Sequence, residues 1–221
     1  MTKIKVCGIR KADNALMVAR AGVDMIGLNF YPKTPRYIEP AAARKLVSRL
    51  RGDLGAACPI IVGVFVNASA TEIRAIAAEV GLDYAQLNGD ESAEFLGALP
   101  GLAFKAIRPA DERAASAEVA ALACAFLDDK DAPSLLLDAF NPKLYGGTGE
   151  TTSVSIAQAV SETAPRLMLA GGLKPENVAQ RLQTIKPWGV DVASGVEAGT
   201  PGIKDEAKVR AFIDAVRSAD A

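Results

Sequence analysis

Histidine is absent from all 221 residues. That absence excludes Ser/His and Cys/His relays and any histidine-based metal site, so proton transfer must fall to carboxylates, lysines, tyrosines or cysteine. Cysteine itself is scarce. Its three copies, at positions 7, 58 and 124, form neither a closely spaced metal-binding pair nor a disulfide framework, as expected of a chain in a reducing cytoplasm. Neither sign of charge dominates, with 25 basic against 26 acidic side chains and no Lys/Arg run longer than a pair. The basic footprint of a nucleic-acid or anionic-membrane binder is therefore missing, and a small soluble partner is expected instead. No apolar run approaches the ~18 residues of a membrane span, and no signal-like stretch follows Lys3, Lys5 and Arg10. The chain is expected to be neither exported nor membrane-spanning.

What the sequence does contain is a hydrophobic half and a regular alternation. Short apolar runs fall at Ile4 to Val6, Met25 to Leu28, Ile60 to Val66, Tyr84 to Leu87, Phe104 to Ile107, Leu135 to Leu137, Leu167 to Leu169 and Val190 to Val192. Most are continuously apolar, as strands covered on both faces require. Between them the period becomes helical, with stripes at Ala43, Leu46, Val47 and Leu50, at Ile73, Ile76, Ala77 and Val80, and at Val209, Phe212, Ile213 and Val216. Ser69 with Glu72 and Ser155 with Gln158 have capping-box spacing, and Pro40 and Pro175 suit first helical positions. Eight strand–helix units of about 28 residues each predict one α/β domain over 1–221, an eight-stranded parallel (β/α)8 barrel. A doubly wound open sheet uses the same alternation. The count of eight and the lack of a dinucleotide glycine fingerprint after the first strand favour closure.

Chemistry-bearing residues recur where these strands end, which is where such a barrel assembles its site. Cys7 follows Ile4-Lys5-Val6, ahead of Arg10 and Lys11, whose charge, or a helix end, is expected to lower its pKa and favour thiolate, fit for a base or a nucleophile. The alternative is a cysteine buried as a small hydrophobe, the role expected of Cys58 and Cys124. Asp138 closes Leu135-Leu136-Leu137, where desolvation would keep it protonated as an acid, unless it merely caps a turn. Asp191, inside the last strand, is a weaker candidate and a possible partner for an arginine. Glycines cluster at Gly146-Gly147-Thr148-Gly149, Gly171-Gly172 and Ser194-Gly195. Their backbone N–H groups can approach an anion unobstructed, and the last two clusters stand where barrels hold phosphate, although each could serve a tight turn alone. Arg36, between Pro35 and Tyr37, could hold a carboxylate by two parallel hydrogen bonds or remain a solvated loop charge.

Taken in order, Lys5-Val6-Cys7-Gly8-Ile9, Gly27-Leu28-Asn29-Phe30-Tyr31-Pro32-Lys33-Thr34-Pro35-Arg36-Tyr37-Ile38, Val62-Gly63-Val64-Phe65-Val66-Asn67, Gly146-Gly147-Thr148-Gly149, Gly171-Gly172-Leu173-Lys174-Pro175-Glu176-Asn177-Val178 and Asp191-Val192-Ala193-Ser194-Gly195-Val196-Glu197 make the chain resemble the phosphoribosylanthranilate isomerase family of tryptophan biosynthesis over nearly its whole length. The resemblance implies a barrel enzyme that carries out the Amadori rearrangement of N-(5-phosphoribosyl)anthranilate to 1-(2-carboxyphenylamino)-1-deoxyribulose 5-phosphate, with no cofactor and no metal. It implies Asp138 as general acid, Cys7 as general base and Arg36 on the anthranilate carboxylate. Phosphate would fall to the glycine loops with Gly147, Gly171, Gly172, Ser194 and Gly195. The sequence departs from the family's pattern twice. Asn88 stands where histidine is usual, and Thr152-Ser153-Val154 where Phe-Asp-Trp is usual, which predicts lower activity or an altered loop.

Related phosphosugar barrels fit less well. An epimerase type would need metal-binding histidines, an indole-glycerol-phosphate synthase type a catalytic lysine near the first strands, and a histidine-pathway isomerase type an aspartate at position 7. A phosphate-ligand binding protein that has lost catalysis is the reading from another class, opposed by the intact Cys7 and Asp138. No heptad or long exposed apolar stripe marks an interface, so monomer and homodimer both stay open.

Overall fold

A computed structural model describes residues 1–139 and 152–220. Eight strands, β1 (Lys3–Cys7), β2 (Met25–Asn29), β3 (Ile60–Phe65), β4 (Tyr84–Leu87), β5 (Ala103–Ile107), β6 (Leu135–Leu137), β7 (Leu167–Leu169) and β8 (Gly189–Val192), alternate with α1 (Ala12–Arg20), α2 (Pro40–Leu54), α3 (Ala70–Val80), α4 (Ala93–Gly97), α5 (Glu112–Leu122), α6 (Val154–Ser161), α7 (Val178–Ile185) and α8 (Glu206–Ala219). All pair in parallel and in chain order, and β1 returns to β8 to close the barrel. All eight predicted strands form, with ends moved by one residue at most.

The strands hide two apolar layers that obey the two-residue period of a pleated chain. Ile4, Val6, Ile26, Leu28, Ile61, Phe65, Ala85, Leu87, Leu135, Leu137, Leu167, Leu169, Val190 and Val192 point outward. There they join the inner faces of the helices, including all three predicted stripes, although Ile76 is only half-buried. The inward positions form a second, smaller core from Met25, Val62, Tyr84, Phe104, Leu136 and Met168. Toward the carboxyl ends of the strands the inward side chains become polar: Lys5 and Cys7 on β1, Gln86 on β4, Asp138 after β6 and Asp191 on β8.

Local signals explain most helix starts. Pro40 opens α2, and the Ser69 hydroxyl caps α3 by accepting from the Glu72 N–H at 3.2 Å. Two predicted starts shift. The helix expected to be capped by Ser155 begins at Val154 with Ser153 as its cap residue, because Thr152 already anchors the chain there. Pro175 lies in a turn before α7, where the Asn177 side chain accepts from Lys174 N–H and donates to the Gly172 carbonyl, holding off the helix until Val178.

Loss of the Ser69 cap should cost about 1 kcal/mol. Urea unfolding of Ser69→Ala is expected to show a lower midpoint with an unchanged slope.

Candidate active site

At the carboxyl end of the barrel a pocket open to solvent is lined by Cys7, Arg36, Asn88, Asp138, Gly171, Gly172, Asp191 and Ser194 among others. The residues predicted from strand ends 1, 2, 6, 7 and 8 thus share one cavity. Gly195 lies just behind the wall, and a Cβ there would fall 2.0 Å from the Leu173 carbonyl oxygen, so it lets the segments after β7 and β8 touch. Gly147, with Gly146, Thr148 and Gly149, falls outside the described residues.

Cys7 is buried, with its sulfur against Gly27, the residue opposite in register on β2. A Cβ on Gly27 would lie 2.6 Å from Sγ. Burial pushes the thiol pKa above its ordinary value. Lys5 and Lys204 pull it down and Asp191 pushes it up, without reversing the direction. The charges expected to lower it, Arg10 and Lys11, are exposed, and the Arg10 guanidinium instead donates to the Pro35 carbonyl at 3.0 Å. The expectation of a lowered thiol pKa is thereby corrected, because nearby water stabilises those two cations while the sulfur is shut away from it.

Asp138 faces the same cavity from the end of β6. Burial raises its carboxyl to about 6, assisted by Asp191 and opposed by the Ala139 N–H, Arg108 and Lys5. The Ala139 N–H donates to Oδ1 at 2.8 Å and fixes the carboxyl. An acid and a thiol, both shifted toward their neutral forms, line one pocket.

Arg36 is not a solvated loop charge. Its Nε and one terminal nitrogen donate to the two oxygens of Glu197, each at 2.8 Å, a bidentate pair. Glu197 also accepts from the Gly202 N–H at 2.8 Å and from Lys204 Nζ at 3.2 Å. Burial opposes the Glu197 carboxylate, but these donors outweigh it and its pKa is lowered. Three guanidinium N–H bonds remain beyond the two used by Glu197, enough to take a carboxylate in the pocket. Asp191 pairs with a lysine rather than an arginine: the fully buried Lys5 ammonium donates to it at 3.1 Å.

Gln86 and Asn88, two residues apart and both buried, line the wall from β4. The Gln86 amide donates to the Asn88 oxygen at 2.7 Å, so Asn88 has its NH2 to offer, while the Gln86 oxygen has no partner among the described residues. Behind them the buried Lys105 donates to the Leu87, Gly89 and Ala106 carbonyls and to Glu91, pinning the end of β4. On the opposite side Gly171 has φ of +88°, and a Cβ there would meet Thr152 Oγ1 at 2.5 Å and the Ala139 nitrogen at 2.8 Å. Thr152 donates to the Ala170 carbonyl at 2.9 Å, tying the chain before α6 to the end of β7.

Lys5, Gln86, Glu197, Lys204 and Lys105 did not stand out in the sequence. Inward parity would have flagged two of them, because Lys5 shares the face of Cys7 and Gln86 that of Tyr84. Glu197 is held from three directions, so Glu197→Ala would strand Arg36 and Lys204 without their countercharge and should cost about 3 kcal/mol or more. The urea midpoint of that variant is expected to fall well below that of Ser69→Ala.

Comparison with known proteins shows the family. The profile of the family described as N-(5'phosphoribosyl)anthranilate (PRA) isomerase matches residues 4–215. An N-(5'-phosphoribosyl)anthranilate isomerase of Chlorobaculum parvum is 41% identical over 227 aligned positions, which cover 100% of this chain and 97% of that protein. The crystal structure of phosphoribosyl anthranilate isomerase from Thermotoga maritima superposes with a TM-score of 0.84 at 34% identity, covering 99% of this chain and 100% of that one. A phosphoribosyl anthranilate isomerase in complex with reduced 1-(o-carboxyphenylamino)-1-deoxyribulose 5-phosphate superposes with a TM-score of 0.81 at 33% identity, covering 99% and 100%. With that profile matched over residues 4–215 and a 41% identical relative aligned along the whole chain, this barrel belongs to the phosphoribosylanthranilate isomerase family.

Proposed function

We propose that this chain, as one barrel domain, converts N-(5-phosphoribosyl)anthranilate into 1-(2-carboxyphenylamino)-1-deoxyribulose 5-phosphate, the Amadori step of tryptophan biosynthesis. The observation that carries the reading is the meeting of Cys7 and Asp138 in one pocket beside the Gly171-Gly172 and Ser194 rim. Asp138, protonated, gives its proton to the furanose ring oxygen. The ring opens and a Schiff base forms at C1. The Cys7 thiolate takes the proton from C2, the C–H electron pair moves into the C1–C2 bond, and the resulting enolamine tautomerises to the ketone. Each proton transfer supplies about 10²–10⁴-fold. The free N–H groups of Arg36 take the anthranilate carboxylate, and the backbone amides of the rim, with Gly147 and Gly195, take the phosphate. No cofactor or metal enters the scheme. A cytoplasmic monomer or homodimer is the assembly we infer, a Thermotoga maritima relative being described as dimeric.

The two groups must work in opposite protonation states. With Asp138 near 6 and Cys7 above its ordinary value, the singly protonated pair dominates between them, and a constant minor fraction of it holds the proton on Asp138 and the charge on sulfur. Below the acid limb both groups are protonated and the base is lost. Above the alkaline limb both are ionised and the acid is lost. The kcat/KM profile should therefore be a bell with its acid limb near pH 6 and its alkaline limb above the ordinary thiol range. In Asp138→Asn the acid limb should disappear, leaving residual activity that climbs only as Cys7 ionises.

The loss of anthranilate fluorescence from freshly made substrate, followed in the presence of a chelator, tests the assignment. Wild type should be fast, and Cys7→Ser and Asp138→Asn should each be slower by at least 10². A wild type no faster than spontaneous decay would favour a binding protein that has lost catalysis. Gly27→Ala should lower kcat by about 10-fold to 10²-fold with a smaller effect on KM, because its methyl group displaces the Cys7 sulfur and not the ligand's anchors.

A further inference from the structure

The groups that bear on Cys7 come from three parts of the barrel. Lys5 lies two residues before it on β1, and Asp191 sits opposite Lys5 in the β1–β8 register. Glu197 and Lys204 follow β8, and Arg36 follows β2. Asp138 faces Asp191 and Lys5 from β6, with Arg108 on its own side. Three cations and two carboxylates around the sulfur leave one positive charge unbalanced in surroundings poor in water. A thiolate on Cys7 neutralises it.

Lys5 has no access to ligand. Its exposure is 0%, it is not among the residues lining the pocket, and its ammonium sits among inward positions otherwise filled by apolar side chains such as Met25. Burying an ammonium costs several kcal/mol, and an apolar residue of similar volume is often neutral or better for stability. Asp191 offsets much of that cost through the 3.1 Å bond, yet the pair alone gives no reason to stand two residues from the reactive sulfur.

We propose that Lys5 is a positioning residue for the proton transfer: its buried ammonium, shared between Asp191 and Cys7, supplies the countercharge that permits the thiolate, and Asp191 sets how much of that charge the sulfur receives. The proposal rests on Cys7 acting as the base. It gives the two partners of one ion pair opposite effects on the sulfur. Removal of the lysine charge makes the thiolate harder to form, whereas removal of the aspartate charge makes it easier and frees Lys5 to turn toward Cys7.

A thiol titration that needs no substrate tests this. In a Cys58→Ser, Cys124→Ser background, the rate of Cys7 alkylation by iodoacetamide is followed against pH. Lys5→Met should move the midpoint upward and slow alkylation at neutral pH by about tenfold or more. Asp191→Asn should move it downward and accelerate alkylation. Turnover by Lys5→Met should fall in kcat rather than KM, with the deficit narrowing as the pH rises. If Lys5→Met does not fold, Asp191→Asn decides alone. An unmoved midpoint in Lys5→Met, or an unmoved or raised midpoint in Asp191→Asn, overturns the proposal. Failure of the underlying reading would look different, since Cys7→Ser would then retain turnover whatever the titrations show.

Discussion

The structure depends on the closure of β1 against β8. Lys3, Ile4, Lys5 and Val6 pair with Gly189, Val190, Asp191 and Val192, joining segments 186 residues apart. Closure removes the exposed edges of the sheet, and it also brings Lys5 to Asp191. Without it, Cys7 would stand at the end of an edge strand, and Glu197 and Lys204 would have no fixed place beside Arg36. Long-range pairing of this kind is costly in chain entropy, and the apolar layers on both faces of the sheet supply the driving force.

How much of this was legible in the sequence follows from the range of each signal. Strand positions come from local apolar runs, and Tyr84–Leu87, Leu135–Leu137 and Leu167–Leu169 match the structure residue for residue. Cys7 and Asp138 were marked by standing where those runs stop. The sign of the Cys7 shift was not legible. It is set by burial against Gly27, which outweighs the lysines at positions 5 and 204, whereas sequence proximity pointed to Arg10 and Lys11. The Arg36–Glu197 clamp spans 161 residues and left no local trace. The expectation for Asp191 had the right kind of partner and the wrong residue, because register, which no local pattern fixes, placed Lys5 opposite it.

The two departures from the family's pattern have physical counterparts in the fold. Where an imidazole is usual, Asn88 is oriented by Gln86, whose own amide is committed to it, so the wall keeps a neutral donor held in place without a titratable group. The end of β4 is further fixed by Lys105, which donates to the Leu87 and Gly89 carbonyls and to Glu91. Where an aromatic pair is usual, Thr152 gains its hold on β7 through one hydrogen bond to Ala170 and close contact with Gly171. A short hydroxyl gives direction where a ring would give area. Thr152 thereby ties the start of α6 to the end of β7.

Charge conservation links the buried network to the chemistry. In the proposed sequence Asp138 loses a proton as it opens the ring and Cys7 gains one from C2, so the negative charge moves from sulfur to carboxylate while the site's total stays fixed. A network of buried lysines, an arginine and carboxylates is suited to that transfer because its dipoles and charges need little rearrangement as the charge crosses the pocket. The same balance explains why both reactive groups have raised pKa values. Each is buried, and the cations beside them offset only part of the hydration each ionised form would lose. A single proton shared by an acid and a base across one pocket is the outcome, and it is the state from which ring opening and C2 deprotonation can follow in turn.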